Sequence, residues 1–360
     1  MFLREVDGIW YNTMNIKIVL AAVLLISSCT LLSVTAQGDE DVLPPTPLDM
    51  EQLKASLSHA RGKATEEDRW PKTIQYIDKQ YDFRTDTFKE ESKTYQVLNR
   101  PSRLIPHAVG VTEILWAICP RERIVAFNEF TADPKYCFIA DCVRKQGPVF
   151  KTQQTELVLG YRPDMVFTVF YSSAEFKEKL RQSKIPYFDL GYFGTLESIQ
   201  YQTVLIGKII GEEGSALELI RIMDEKIGDI RKKIPIMSKP LRLLYYDEHG
   251  YIPGKTSNFT SICEIIGAIN VGSEQGIKSW SQIDYETLLK WDPDIIVVPD
   301  GSNLKKQLTA NKILSHAKAI KNRTVYSIPG IYLRTDSQYM VLSANMLAGI
   351  AYQKSAHAPY

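Results

Sequence analysis

The stretch SALELIRIMDEKIGDIRKKI, residues 215–234, predicts a long helix near the middle of the chain. Apolar residues recur in it every three or four positions, which places them on one helical face. They are Leu217, Ile220, Met223, Ile227, Ile230 and Ile234. Ser215 and Glu218 have the spacing of a capping box, and Pro235 follows the last apolar residue. A helix of this length spans about 30 Å, the diameter of a small domain. On its own this pattern is also that of an ordinary surface helix.

The segments on either side of this helix resemble each other at a constant offset of 130 residues. In each, an aromatic residue, a glutamate and a Pro-Asp pair precede a short apolar run. The first copy has Phe150, Glu156, Pro163 and Asp164, and the second has Trp280, Glu286, Pro293 and Asp294. A repeat of this length indicates two similar supersecondary units, so we predict two lobes joined by the helix.

The composition excludes several classes of protein. The chain has 360 residues, of which 44% are hydrophobic, so it is long enough for two domains with real cores. Its 43 basic and 42 acidic residues are balanced, and nothing in that balance indicates binding to nucleic acid or to an anionic membrane surface.

The N-terminus has the pattern of an export signal. Residues 16–34 are apolar, and Val34-Thr35-Ala36 is a small-residue cleavage pattern, which predicts a signal peptide over 1–36. Met14 is an alternative start to Met1. The segment before Cys29 also resembles a lipobox, so lipid anchoring at Cys29 is a second interpretation, and an uncleaved anchor is a third. All three place the folded part in the periplasm or at the outer face of the cytoplasmic membrane.

Four further cysteines would then lie in an oxidising compartment: Cys119, Cys137, Cys142 and Cys263. We expect one or two disulfides at most. Cys137 and Cys142 are the nearest pair in sequence, and we expect a bond between them. No Cys-x-x-Cys pair exists, which argues against zinc and thioredoxin chemistry.

The rest of the chain predicts an α/β fold. Residues 37–72 are polar and proline-containing, which indicates a spacer, and 74–97 alternate as in a peripheral β-hairpin. From 103 onward strands alternate with helices, which is typical of parallel sheets. We predict two Rossmann-like lobes, over 73–210 and 236–360, joined by a connecting helix over 211–235.

Ligands of parallel sheets bind beyond the carboxyl ends of the strands, and the residues that follow the predicted strands are mainly aromatic. The candidates for ligand binding are Phe130, Phe150, Tyr171, Trp280, Tyr332 and Arg334. They predict a cleft that holds a large, flat or apolar ligand. Nucleophile-elbow, Walker and Rossmann glycine motifs are missing, and the five histidines are scattered. We expect no catalytic residues, no resident cofactor and no metal-binding cluster.

The order of these motifs resembles the iron–siderophore/cobalamin family of periplasmic binding proteins, which serve ABC importers. The resemblance runs from Arg103 to the C-terminus. It is carried by 103–106, 112–115, 123–126, the repeat, Gly254-Lys255 and Gly267-x-x-Asn270.

The resemblance implies a bilobed α/β fold on a rigid helix, with a small-molecule ligand between the lobes and an ABC permease dimer as partner. It also implies that Glu156 and Glu286 dock on permease arginines, one acid for each lobe of a monomer. Pro106-His107-Ala108-Val109-Gly110 departs from the serine-proline stretch usual in the family.

Several ligands are compatible with the resemblance. A ferric siderophore ranks first, with Arg334, Arg144 or Lys145 meeting an anionic chelate. Cobalamin ranks second because aromatic residues stand at Phe130, Phe150 and Trp280. Heme ranks third, with Tyr171, His107 or His249 as iron ligand, and a free metal ion ranks fourth.

The alternative from another class is an extracytoplasmic enzyme on a similar scaffold, because a fold alone does not determine function. Such an enzyme needs converging titratable groups in its cleft, where the sequence predicts mainly aromatic residues.

Overall fold

A computed structural model describes residues 43–63, 69–82, 85, 87–152, 154–192 and 194–352. The predicted signal peptide, Cys29 and the alternative starts Met1 and Met14 lie outside these residues. Among the helices of the described part, none is both long enough and apolar enough to cross a membrane.

The chain first forms a short helix and a hairpin. Helix α1 spans Met50–Leu57, and strands β1 (Lys72–Asp82) and β2 (Thr87–Val97) pair in antiparallel register. The hairpin packs on the N-terminal lobe through Tyr76 and Tyr95, whose rings lie 4.8 and 5.0 Å from the ring of Phe188.

The N-terminal lobe contains a three-stranded parallel sheet in the order β3-β6-β7. These strands are β3 (Leu104–Pro106), β6 (Met165–Thr168) and β7 (Tyr187–Asp189), and the parallel pair beside them is β4 (Phe127–Asn128) with β5 (Val149–Phe150). The helices are α2 (Val109–Ile118), α3 (Ala140–Gln146), α4 (Thr155–Gly160), α5 (Ala174–Gln182) and α6 (Leu196–Ile210). The strands are short apolar runs because helices cover them; all four residues of β6 are buried.

The central helix α7 spans Glu213–Lys233, but it does not begin as predicted. Gly211 adopts a left-handed conformation (φ 71°) that ends α6, and α7 starts two residues later. Ser215 therefore lies inside the helix, where its hydroxyl accepts a hydrogen bond from the Gly62 amide at 3.3 Å. The expected capping box with Glu218 is wrong, because a residue inside the helix cannot act as its N-cap.

The buried face of α7 is also rotated from the predicted one. Met223, Ile227 and Ile230 are buried as expected, whereas Leu217 is 49% exposed and Leu219 replaces it in the core.

The C-terminal lobe contains a four-stranded parallel sheet in the order β10-β8-β12-β13. Its strands are β8 (Arg242–Tyr245), β10 (Ile269–Asn270), β12 (Ile295–Pro299) and β13 (Val325–Ile328), and an antiparallel pair is formed by β9 (Tyr251–Pro253) and β11 (Trp280–Gln282). The helices are α8 (Asn258–Ile265), α9 (Val271–Glu274), α10 (Tyr285–Trp291), α11 (Leu304–Ala310), α12 (Lys318–Lys321), α13 (Ile331–Arg334) and α14 (Met340–Tyr352). The architecture is thus α/β with parallel sheets, as predicted.

The sequence repeat has a physical counterpart at the start of one strand in each lobe. The Asp164 carboxylate accepts the Arg103 amide at 2.8 Å, and the Asp294 carboxylate accepts the Arg242 amide at 2.9 Å. Each aspartate thereby joins the strand that it precedes to the neighbouring parallel strand. This role explains why the Pro-Asp pair occurs in both copies.

Arg103 and Arg242 also make equivalent contacts in the two lobes. The Arg103 guanidinium donates to the carbonyls of Tyr161 and Arg162 at 2.6 and 3.0 Å, just after α4. The Arg242 guanidinium donates to Trp291 and Asp292 at 2.8 and 2.9 Å, at the end of α10. In both lobes a cation therefore satisfies carbonyls at the carboxyl end of the helix that carries the repeated glutamate.

Residues 43–63 are not a free spacer, contrary to the prediction for 37–72. Leu53 and Leu57 of α1 are buried in the main core. Ser58 hydrogen-bonds the Tyr339 hydroxyl at 2.8 Å, and the Ala60 amide donates to the Ala117 carbonyl of α2 at 2.9 Å. We call residues 43–63 the N-terminal strap, because they contact both lobes.

The expected disulfide between Cys137 and Cys142 is absent, and the four described cysteines are free thiols. Cys137 is buried and hydrogen-bonds the carboxylate of Glu113, whereas Cys142 is exposed. The two side chains lie in different environments despite their closeness in sequence, so the short loop does not bring the sulfur atoms together.

Candidate functional site

A cavity of about 630 Å³ lies between the lobes, where the carboxyl ends of parallel strands meet. The N-terminal lobe contributes the start of α2, the loop 134–136 and Tyr171, which follows β6. The C-terminal lobe contributes residues 299–301 at the end of β12, and residues 329–331 and 334–336 after β13. This is the position at which α/β sheets bind ligands.

A smaller compartment of about 200 Å³ adjoins this cavity, since Arg334 and Asp336 line both. We call it the aromatic compartment. Its walls are Phe170 and Tyr192 from the N-terminal lobe and Trp280 from the C-terminal lobe. The cavity and the aromatic compartment together form the cleft.

Arg334 is oriented by an aromatic neighbour. Its Nε donates to the Tyr245 hydroxyl at 3.2 Å, and the Tyr245 ring meets Trp280 edge-to-face at 5.7 Å. Tyr245 is fully buried at the end of β8. A core residue thus sets the positions of two cleft side chains.

Three of the predicted ligand-binding residues lie together in the cleft: Tyr171, Trp280 and Arg334. The side chains of Tyr171 and Trp280 are 57% and 42% exposed, so both have free ring surface. Reduced hydration between the lobes, and then the charge of Asp336, raise the pKa of the Tyr171 phenol.

Phe150 does not belong to the cleft, and its predicted role in ligand binding is wrong. It is fully buried in a core cluster with Val158, Phe176 and Leu180. Its strand β5 pairs in parallel with β4, and its ring packs against α4 and α5 and lines neither the cavity nor the aromatic compartment.

Phe130 and Tyr332 lie near the cleft without lining it. The Phe130 ring packs edge-to-face on Tyr136, a cavity residue, at 5.4 Å. Tyr332 packs on Phe138 at 5.3 Å and is partly buried against the main core. Neither side chain lines the cavity or the aromatic compartment.

His107 and His249, the predicted alternatives to Tyr171 as heme ligands, lie elsewhere. His107 is buried, with Nδ1 2.9 Å from the Ser172 hydroxyl and its ring stacked on Phe176 at 4.2 Å. Burial lowers the pKa of His107 to about 4. His249 lines a separate groove within the C-terminal lobe.

The predicted cations other than Arg334 are also outside the cleft. Arg144 pairs with Asp141 and donates to the Ala132 carbonyl at 2.6 Å, and neither it nor Lys145 lines the cavity. Lys135, which the sequence interpretation missed, does line it.

The cleft contains more titratable groups than the sequence interpretation expected. Four acids line the cavity, Glu113, Glu248, Asp300 and Asp336, against the two cations Lys135 and Arg334. Glu113 accepts hydrogen bonds from the Phe138 amide at 2.7 Å and from the Ser337 hydroxyl. Burial raises the pKa of Glu113 to about 7. The description of the cleft as mainly aromatic is therefore incomplete.

These missed residues had some sequence signal. Asp336 follows Arg334 by two positions after the last strand, and Phe170 directly precedes Tyr171. Each lies in the same strand-end segment as a residue that the sequence interpretation selected, Arg334 or Tyr171. Lys135 and Tyr136 lie in a loop between strands, where sequence periodicity does not indicate the direction in which a side chain points.

The repeated glutamates occupy equivalent positions outside the cleft. Glu156 lies in the first turn of α4, with a side chain 76% exposed and an ion pair to Lys179 at 3.0 Å. Glu286 lies in the first turn of α10 and is exposed.

The part of the chain that the structure describes contains no group of three or more His, Cys, Asp and Glu side chains arranged to hold a metal ion.

Comparison with known proteins agrees with this architecture. Residues 110–332 match a family model described as periplasmic binding protein. The chain is 23% identical over 240 residues to the uncharacterised ABC transporter substrate-binding lipoprotein YvrC of Bacillus subtilis, a match covering 64% of this chain and 74% of that protein. It is 21% identical over 236 residues to a cobalamin-binding protein of Halobacterium salinarum, which covers 64% of this chain and 62% of that protein.

A solved structure shows the same fold. A periplasmic binding protein from Veillonella parvula matches with a TM-score of 0.66 at 18% identity, over 78% of this chain and 98% of that chain. The family model covers more than half of the sequence, from α2 to α13. The chain therefore belongs to the periplasmic binding protein family.

Proposed function

We propose that this protein is the extracytoplasmic substrate-binding component of an ABC importer and that it holds a ferric siderophore between its lobes. The observation that carries the proposal is the cleft, to which both lobes contribute aromatic and charged side chains at the ends of their parallel strands. Family membership and the similarity to YvrC support the transport role.

The cleft residues suit a bulky chelate. The exposed rings of Tyr171 and Trp280 offer stacking surface, which contributes affinity in proportion to the apolar area buried. Arg334 and Lys135 offer cations to the oxygen atoms that surround a chelated metal. Iron in this proposal is cargo, and the protein binds the organic shell of the chelate.

Glu156 and Glu286 are the proposed contacts with the permease. They stand at equivalent positions of two similar lobes, each in the first turn of a helix. A binding protein with this internal symmetry presents one acid to each half of a twofold permease dimer. We propose that the binding protein acts as a monomer, because one chain supplies both walls of the cleft.

Cobalamin is the second candidate ligand, and one specific observation favours it. Acidic residues outnumber basic ones around the cavity, which suits an uncharged ligand better than a strongly anionic one. The Halobacterium salinarum relative is named a cobalamin-binding protein. Heme is the third candidate, with Tyr171 in the cleft as the proposed iron ligand.

Binding without catalysis is the proposed activity, with an enzyme on the same scaffold as the alternative. The cleft acids do not by themselves indicate catalysis. The one hydroxyl that Glu113 accepts from, Ser337, is fully buried and does not line the cleft. We propose export by the segment 1–36, with release into the periplasm or anchoring at Cys29 as its two outcomes.

The test is purification from the native host without refolding, followed by visible spectroscopy and mass spectrometry of the bound molecule. A ferric chelate, cobalamin and heme absorb differently, so one spectrum separates the three ligands. We expect an iron-chelate band that disappears on denaturation and dialysis and returns on addition of a ferric siderophore. Failure of the emptied protein to bind any of the three ligands would contradict the proposed function, and turnover of an added chelate would favour the enzyme.

A further inference from the structure

Asp336 occupies an unusual place in the cleft. It lines both the cavity and the aromatic compartment, at the point where they meet. Within the described part of the chain, no donor reaches its carboxyl group. The other deep acid, Glu113, is held by the Phe138 amide and the Ser337 hydroxyl, and Asp300 accepts from the Gly330 amide.

A carboxyl group that is poorly hydrated and lacks donors destabilises the folded protein. Burial and then the nearby charge of Glu113 raise the pKa of Asp336 to about 7, which reflects this cost. Such a group is expected where a bound molecule supplies the missing donor.

The surroundings of Asp336 indicate the kind of donor. Three aromatic side chains wall the compartment, Phe170, Tyr192 and Trp280, and aromatic faces attract cations. Ser279 also lines the compartment; it is 8% exposed, and its hydroxyl has no hydrogen-bond partner among the described residues. The Nε of the nearby cation Arg334 is bonded to Tyr245.

We propose that Asp336 and the aromatic compartment bind a protonated amine of the ligand. This inference rests on the proposed function and narrows it, since the chelate would carry an ammonium group and no large negative charge. The Asp336 carboxylate accepts the N–H donors, and the rings of the compartment surround the cation.

Ferrioxamine B is a suitable probe, because it is a ferric trihydroxamate with a terminal ammonium group. Its N-acetylated derivative has an amide there and is otherwise the same molecule. Binding of both is measured by quenching of tryptophan fluorescence, with a ferric tris-catecholate and cyanocobalamin as further ligands. We expect the wild-type protein to bind ferrioxamine B at least about tenfold more tightly than the acetylated form, the magnitude of one charge-assisted hydrogen bond.

The matched variants are Asp336→Asn and Glu225→Gln, which remove one carboxylate each, the second from the exposed surface of α7 outside the cleft. Asp336→Asn should abolish the preference for the ammonium form, and Glu225→Gln should keep it. Thermal unfolding followed by circular dichroism should show Asp336→Asn at least as stable as the wild type, because it removes a partly buried charge that no donor of the described residues stabilises.

The pH dependence provides a second readout. The ammonium needs an ionised Asp336, so affinity for ferrioxamine B should rise between about pH 6 and 8, and affinity for the acetylated form should change less. The charged and titratable groups around Asp336 are Glu113 on α2, Tyr171 after β6, Tyr192 after β7, Arg334 on α13 and, across the cavity, Lys135, Tyr136, Glu248 and Asp300. Persistence of this pH difference in Asp336→Asn would assign it to one of them and overturn the inference.

Two failures are distinguishable. If the wild-type protein binds a chelate or cyanocobalamin with no preference for the ammonium form, the amine site is wrong and the proposed transport function stands. If it binds none of the probes, the proposed function fails and the amine site fails with it.

Discussion

Trp280 and Phe150 occupy equivalent positions in the sequence repeat but have opposite environments. Trp280 lies on β11, whose only partner among the described strands is the antiparallel β9, and its ring is 42% exposed in the cleft. Phe150 lies on β5, which pairs in parallel with β4, and the Phe150 side chain is fully buried. The repeat therefore preserves the sequence spacing, but neither the strand pairing nor the burial of the aromatic side chain is the same in the two copies.

This difference gives a paired prediction. Trp280→Ala should weaken ligand binding about tenfold to a hundredfold, the equivalent of about 1–3 kcal/mol, because it removes one face of contact. Its free energy of unfolding should change little, because the ring is partly exposed. Phe150→Ala should instead lower the free energy of unfolding by about 3–5 kcal/mol through the cavity it leaves.

Fluorescence titration and urea denaturation of both variants check the pair, with fluorescence corrected for the missing tryptophan. Normal ligand affinity in Trp280→Ala would remove that residue from the site. Unchanged stability in Phe150→Ala would contradict its placement in the core.

For single residues, the sequence predicted some of the side chains that line the cleft and missed others for a physical reason. Tyr171 and Arg334 are identified because they follow predicted strands, and Trp280 is identified through the sequence repeat. Asp336 was missed because its importance lies in the lack of a donor around it, which depends on every neighbouring residue in space. Sequence spacing contains no such information.

At the scale of elements, the N-terminal strap is the largest departure from the sequence interpretation. Prolines at 44, 45 and 47 and the polar composition indicated a spacer. Yet Asp49 caps α1 by accepting the Gln52 amide at 2.8 Å, and Leu53 and Leu57, four residues apart, enter the core. The capping residue and apolar spacing were present in the sequence, but eight residues give too weak a pattern to outweigh composition.

Leu57→Ala tests the strap. Leu57 is fully buried, so its truncation should lower the free energy of unfolding by about 2–5 kcal/mol. Gln52→Ala, an exposed position of the same helix, should change it by less than about half a kcal/mol. Urea denaturation of the two variants gives the comparison, and equal stabilities would show that the strap does not pack as described.

At the scale of the whole molecule, the repeat predicted a real symmetry. The two parallel sheets share the same two kinds of contact. Asp164 and Asp294 join neighbouring strands, and Arg103 and Arg242 donate hydrogen bonds to carbonyls at helix ends. The apolar strand runs and the Pro-Asp pairs made this symmetry visible in the sequence, because each is a short pattern of neighbouring residues. The start of α7 could not be placed, because Gly211 ends one helix so close to the next that two signals overlap.

The proposed docking of Glu156 and Glu286 belongs to this scale. Reversing both to lysine should leave ligand affinity intact and change the free energy of unfolding by about half a kcal/mol or less per site, since both side chains are exposed. Uptake in cells should nevertheless be abolished, because like charges would oppose each other across the permease contact. Each single reversal should give partial loss.

Glu225→Lys is the matched control, because it reverses a surface glutamate of α7 that has no counterpart in the repeat. It should transport normally. Normal uptake by the double variant, with export verified, would refute the docking role, and loss of ligand binding by the isolated double variant would place the glutamates in the binding site.

The strap has a consequence for the kinetics of exchange. The Ala60 amide bonds α2 of one lobe, while the Leu57 carbonyl and the Ser58 hydroxyl bond Gln338 and Tyr339 just before the last helix of the other, so separating the lobes would break contacts on both sides. Because these contacts fix the two lobes, the cleft between them is already formed before the ligand binds. Little conformational entropy is therefore lost on binding. Ligands of different affinity should therefore enter at similar rates and differ mainly in how long they stay.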